Sequence, residues 1–195
     1  MLKFITFILL LSLQLSAAPD WLLPKIKYTK GNPIFNWSVK QFPGLIKFSE
    51  RFDKDKILDE RTVFTQYGPK MVLLAEAYCH PQSPVKGNDK YLKPLLKLIY
   101  MVSNSALKGK TPYGFSTKDL GRSYSILKSV YPNKISNELK TLVEKSLNHS
   151  CEQIIKKHPK FFKKDTNGSW VNGEIRYIEA LQNYVTIGFY KGNLG

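Results

Sequence analysis

The chain has 195 residues, 43% of them hydrophobic and 13% aromatic, a composition that excludes a disordered polymer and supports one domain with a real core. Its formal net charge of +15 selects anionic partners: nucleic acid, acidic lipid or acidic polysaccharide. The excess is almost all lysine, with Arg51, Arg61, Arg122 and Arg176 the only arginines, so it reads equally as a bias toward solvated point charges or as a binding surface.

Met1-Leu2-Lys3 carries one positive charge, Phe4 to Leu15 is an almost unbroken apolar run, and Ser16-Ala17-Ala18 supplies small residues. That three-part layout predicts a secretory signal peptide over residues 1–18. The apolar run is shorter than the roughly 20 residues that cross a bilayer as a helix. An uncleaved anchor is the alternative, since Pro19 is a poor residue after a cut at Ala18; a cut after Ala17 removes that objection. The expectation is a secreted or periplasmic protein of about 177 residues with no transmembrane segment once the leader is removed.

From Pro19 to about Phe52, aromatic, lysine, proline and glycine residues alternate, and Pro24, Pro33 and Pro43 punctuate the stretch. Residues 19–58 are therefore predicted as a loop-rich lead-in with little helix. Helical periodicity begins after Gly68-Pro69, with Met71, Val72, Leu74, Ala75 and Tyr78 on one face, and stops at His80-Pro81. Pro81 to Gly87 reads as a loop, and Asn88 or Asp89 as the cap of a helix carrying Tyr91, Leu92, Leu95, Leu96, Ile99 and Val102. Pro94 either kinks that helix or delays its start by a turn.

A second loop is expected over Gly109 to Gly114. Ser116 followed by Asp119 resembles a capping box with a shortened acid, opening a helix through Leu120, Tyr124, Leu127 and Val130. Pro132-Asn133 breaks the chain before the longest helical pattern, which runs through Ile135, Leu139, Leu142, Val143, Leu147, Cys151, Ile154 and Ile155. Phe161 to Val171 reads as a loop or short hairpin turning at Asn167-Gly168, and a last helix spans about Glu174 to Ile187. The sum is an all-α chain of helical hairpins, with residues 59–195 as the helical-hairpin domain.

Cys79 and Cys151 are the only cysteines. In an oxidising compartment they form one disulfide closing a long loop, worth about 4 kcal/mol on the entropic account, or they stay as two buried thiols on helical apolar faces. Asn36-Trp37-Ser38, Asn148-His149-Ser150 and Asn167-Gly168-Ser169 have the form of glycosylation sequons. His80 and His158 each end a helix beside a proline, where they suit dipole-compensating caps, and His149 lies on the longest helix. None has metal-ligand spacing, and there is no phosphate-cradling Gly-rich loop or nucleophile elbow, so neither a metal nor a cofactor is expected.

Two stretches carry a resemblance. Leu73 to Pro84, continuing through Gly87-Asn88-Asp89-Lys90 into Leu95-Leu96-Lys97-Leu98-Ile99, is similar to a helical hairpin of the secreted polysaccharide lyases of the hyaluronate and chondroitin group. In those enzymes a helix ending in Ala-Tyr precedes a Pro-x-Ser-Pro loop and a Gly-Asp-like cap. Asn167-Gly168-Ser169-Trp170-Val171-Asn172-Gly173 resembles the Asp-Gly-Ser-aromatic loop beside their catalytic cleft. Two departures stand out: Asn167 replaces the usual aspartate, and Gly173 stands where that group places a catalytic histidine. Glu174 and Tyr177 match the heparinase-like version loosely in spacing.

The resemblance implies a partial (α/α) toroid, or a small helical bundle of similar hairpins, that acts on or binds uronate-containing polysaccharide. It also implies β-elimination chemistry, in which the proton at C5 becomes acidic once the neighbouring carboxylate is neutralised. On this likeness Asn172 binds that carboxylate, Arg176 neutralises it, Tyr177 moves the proton, and Trp170 and Glu174 contact the sugar. Bland roles compete for the same residues: Asn172 as a helix cap, Arg176 in a salt bridge, Tyr177 and Trp170 in packing. Such toroids need about ten helices, so the missing histidine and the short chain imply a fragment or an inactive form, with apolar faces left uncovered. The alternative is a non-catalytic exported helical module that binds anionic glycan, envelope components or a protein partner. Nucleic acid is not the expected partner, because no recognition helix or known motif accompanies the basic residues. The oligomeric state is not legible.

Overall fold

A computed structural model describes residues 33–53, 56–108 and 115–157. The leader, residues 19–32, the loop at 109–114, the hairpin expected at 161–171 and the last helix expected at 174–187 lie outside the described residues. So do His158, the sequon at Asn167, and Trp170, Asn172, Glu174, Arg176 and Tyr177. Among the described residues the secondary structure is helix alone, and the helices pack as an all-α bundle.

The first helix, α1 (Pro33–Ser49), replaces the lead-in predicted from proline content. Pro33 occupies its first position, where a missing N–H costs nothing. Pro43 lies inside it with its ring on the exposed side, and its missing N–H leaves the Val39 carbonyl without its helical donor. Phe42 and Leu45 are buried, and half-buried Val39 and Ile46 join them on one face. Phe42 meets Tyr91 edge-on at 6.3 Å between ring centroids, so α1 belongs to the helical domain rather than leading into it.

After α1 the chain stays close to the bundle. Phe52 and Leu58 are buried, and the Leu58 N–H donates to Ser105 Oγ at 2.9 Å. Asp59 caps the next helical run: its carboxylate accepts from the Thr62 N–H at 2.9 Å and the Thr62 hydroxyl at 2.6 Å. These two bonds hold its carboxyl below the ordinary carboxylate range.

The run opens as a turn (Glu60–Thr62), widens to a π-helix (Val63–Tyr67) and continues as α2 (Gly68–Cys79). The wide turn lies just ahead of Pro69, whose ring would crowd the Thr65 carbonyl in a regular α-helix. The start at Gly68 and the stop at His80 match the sequence pattern.

The loop to the next helix is held by its own bonds. Gly87, at φ +71°, donates to the Tyr78 carbonyl at 2.9 Å, and Ser83 Oγ donates to the Ala77 carbonyl at 2.5 Å. Asn88 then caps α3 (Asp89–Leu107), accepting from the Lys90 N–H at 3.0 Å. Pro94 does not delay α3; it sits buried within it.

Next come α4 (Phe115–Val130), a 3-10 turn (Pro132–Lys134) at the expected break, and α5 (Asn137–Lys157). Ser116 falls inside α4, not ahead of it, so it is not the start of a capping box. Ser136 instead caps α5, accepting from the Leu139 N–H at 3.1 Å.

The strongest packing is α2 on α4, α3 on α5 and α2 on α3, with α1 laid across α2 and α3. One core results, in which Met71, Leu74, Leu95, Leu98, Ile99, Met101, Ile126, Leu127, Val143 and Leu147 are fully buried. α4 is enclosed almost all round: of its described side chains only Arg122 and Ser129 are exposed. The uncovered apolar faces expected of an incomplete toroid are not found among the described residues, where Trp37 and Leu107 are the exposed large hydrophobics. No described helix is long and apolar enough to cross a membrane.

Candidate functional site

Polar groups are built into two places, a seam between α2 and α4 and an outer face of α3. In the seam, Glu76 of α2 accepts from Arg122 Nη2 of α4 at 3.1 Å. The glutamate side chain is 14% exposed and the arginine 47%, so the pair reaches from the core edge into solvent. Burial pushes the Glu76 carboxyl above its usual range, and Arg122 offsets only part of that.

One turn before Arg122, the buried Asp119 presses its carboxylate against the backbone at Gly68, and Lys118 Nζ lies 3.4 Å from Asp119 Oδ1. Gly68 is the residue that closes the π-helical turn, its N–H bonded to the Val63 carbonyl. A methyl group at 68 would collide with Asp119 Oδ2, so glycine here allows the close approach of two helices. Asp119 is therefore a tertiary contact and not the acid of an N-terminal box.

The seam is a helix-to-helix lock, not an open acid-base site. Its carboxylates face helix backbone and basic side chains, and among the described residues no three His, Cys, Asp or Glu side chains gather as a metal site.

His80 is buried and extended, and its Nδ1 accepts from the Gln82 N–H at 3.2 Å. That contact ties the His80 ring to the loop that follows α2. Cys79 and Cys151 are free thiols, both buried, in place of a bridge, and burial pushes each up to about 12. Thiols held that high are protonated and unreactive at neutral pH. The sequon at Asn148 lies in mid-helix with Ser150 buried, and the one at Asn36 lies within α1.

The outer face of α3 is different in kind. Lys90, Lys93 and Lys97 recur at i, i+3 and i+7, which places them within one narrow stripe spanning about 10 Å of helix. Lys90 and Lys93 are exposed, Lys97 half-exposed, and the exposed Lys86 precedes them in the loop. None of the four pairs with a described acid; the nearby Asp89 is taken by Lys134, 3.7 Å away. Like charges at these spacings repel each other and gain nothing from the fold. The opposite face of the helix, with Leu92, Leu95, Ile99 and Val102, is in the core, so the row is fixed outward.

Comparison with known proteins finds no family model that matches the chain, no curated protein similar to it and no solved structure similar to it.

Proposed function

We propose that this chain is an exported, non-catalytic helical module that holds acidic polysaccharide on a basic surface. The observation that carries this is the Lys90–Lys93–Lys97 row, a line of unneutralised charge presented by a helix anchored in the core. Three lysines in line suit a linear polyanion, whose charges repeat along one direction, better than a single small anion. Lysine favours long-range attraction over fixed bidentate geometry, so the surface selects charge density and not one sequence of sugars. Export follows from the leader-like residues 1–18, and it puts the surface where acidic glycans and envelope polymers are met.

The test is retention on immobilised heparin with a salt gradient. The unmodified chain should bind at low salt and elute as salt rises, because exposed charges are screened beyond about 10 Å at 0.1 M. Replacing Lys90, Lys93 and Lys97 together with glutamine should move elution to lower salt and flatten the slope of log affinity against log salt by about two to three. Helix content should not change, since all three side chains point outward. Equal retention of this variant and the parent would rule the row out as the binding surface.

A further inference from the structure

We infer that the solvent face of α1 is a sugar-stacking subsite, with Trp37 as the platform and Lys40 and Lys47 as its charge contacts. This rests on the acidic-glycan reading above and names where a sugar ring, as opposed to its charge, is recognised. Trp37 is 57% exposed in a chain that buries nearly all its other described large hydrophobics. An indole left in water on a stable helix costs solubility and contributes nothing to the core.

Its neighbours on the helix give it a context. Trp37, Lys40, Gly44 and Lys47 stand at i, i+3, i+7 and i+10, one stripe about 15 Å long on the side of α1 opposite Phe42. Lys40, Gly44 and Lys47 are all exposed. At Gly44 a Cβ would meet nothing within 4 Å, so the stripe has an open step between the indole and Lys47 where a ring can lie against the backbone.

The chemistry fits one occupant. The C–H face of a pyranose is the apolar part of an otherwise polar unit, and a flat indole covers it. Lysines on either side of the open step then meet carboxylate or sulfate groups on the same or the next residue. A membrane surface would call for several large exposed apolar side chains on the face, and among the described residues of α1 Trp37 is the one exposed large hydrophobic. Single-stranded nucleic acid would call for a succession of aromatic platforms, and among the described residues of α1 Trp37 is the one exposed ring.

The experiment measures binding of the full chain to four probes: a short heparin-derived oligosaccharide, inorganic polyphosphate, an oligothymidylate, and vesicles of phosphatidylcholine with phosphatidylserine. Trp37→Ala is expected to weaken oligosaccharide binding about five- to tenfold and leave polyphosphate binding unchanged. Trp37→Phe should recover most of the loss. Gly44→Leu, which fills the open step with a good helix former, should reproduce the alanine effect on the oligosaccharide alone.

A loss of the same size on polyphosphate, no loss on the oligosaccharide, or a loss confined to oligothymidylate or vesicles would overturn the subsite. The two proposals fail differently. If the parent chain is not retained on heparin, the acidic-glycan reading falls and this one with it. If the parent is retained and Trp37→Ala matches it on the oligosaccharide, only the subsite falls.

Discussion

The same substitution, glycine to alanine, is expected to have opposite effects at two helical positions. At Gly44, on the exposed face of α1, a new Cβ has open space around it. Alanine is favoured over glycine within a helix by about 1 kcal/mol, because the unfolded chain has less freedom to lose. Gly44→Ala should therefore raise stability by about 0.5–1 kcal/mol. At Gly68 the intrinsic preference is the same, but the new carbon would overlap Asp119 Oδ2 and lie 3.2 Å from Asp119 Cβ and 3.1 Å from the Val63 carbonyl.

Asp119 has a short side chain on a helix that is enclosed nearly all round, and Val63 O is backbone within the π-helical turn, so neither neighbour swings away freely. Overpacking of this kind costs about 1–3 kcal/mol, of which the propensity gain offsets about 0.5–1 kcal/mol. Gly68→Ala should lower stability by about 1 kcal/mol. Urea unfolding followed by far-ultraviolet circular dichroism reads both, as midpoints moving in opposite directions. The cause is isolated by a double-mutant cycle: with Asp119→Ala already in place, Gly68→Ala should cost less than about 0.5 kcal/mol. If Gly68→Ala stabilises the chain as Gly44→Ala does, the close packing of α2 on α4 through this glycine is wrong.

Two further outcomes are expected. Glu76 carries a carboxyl raised by burial, so the folded chain holds its proton more tightly than the unfolded chain. Its contribution to stability is greatest below the ordinary carboxyl value of 4.5 and falls as pH rises through the raised folded value. Glu76→Gln should remove that fall, so the stability difference between the two proteins changes with pH only in that window; parallel curves would refute the assignment. Cys79 and Cys151 should give no reaction with a thiol reagent in the native state and two equivalents per chain after unfolding without reductant, whereas none after unfolding would reveal a bridge.

The helices after Gly68 were legible because their signals are local. Asn88 caps, Gly68-Pro69 begins, His80-Pro81 and Pro132 interrupt, and the leucine spacing of α3 and α5 has the helical period. α1 was missed although Val39, Phe42, Leu45 and Ile46 have the same period. Its prolines were weighed as breaks, yet one sits in the first turn, where no helical N–H is needed, and the other is carried inside the helix with its ring exposed. The Asp59 cap was missed because the helical pattern was read as beginning only at Gly68-Pro69, and the helical turns that Asp59 opens come before it.

The candidate sites divide by the same rule. Lysines at 90, 93 and 97 are a local pattern, readable once the helix is placed, though net charge alone hides them among the others. Glu76 with Arg122 and Gly68 with Asp119 join residues 46 and 51 apart, and no spacing announces them. Asp119 shows how a local pattern can mislead. Three residues after a serine it imitates a capping acid, but a buried carboxylate must find partners, and those come from another helix and the lysine beside it. The chain thus spends its buried charge on locking α2 to α4 and leaves its lysines on α1 and α3 without described acidic partners. That division is what makes the outer faces available to an anionic polymer, because a lysine already paired within the fold would have to break that pair before binding.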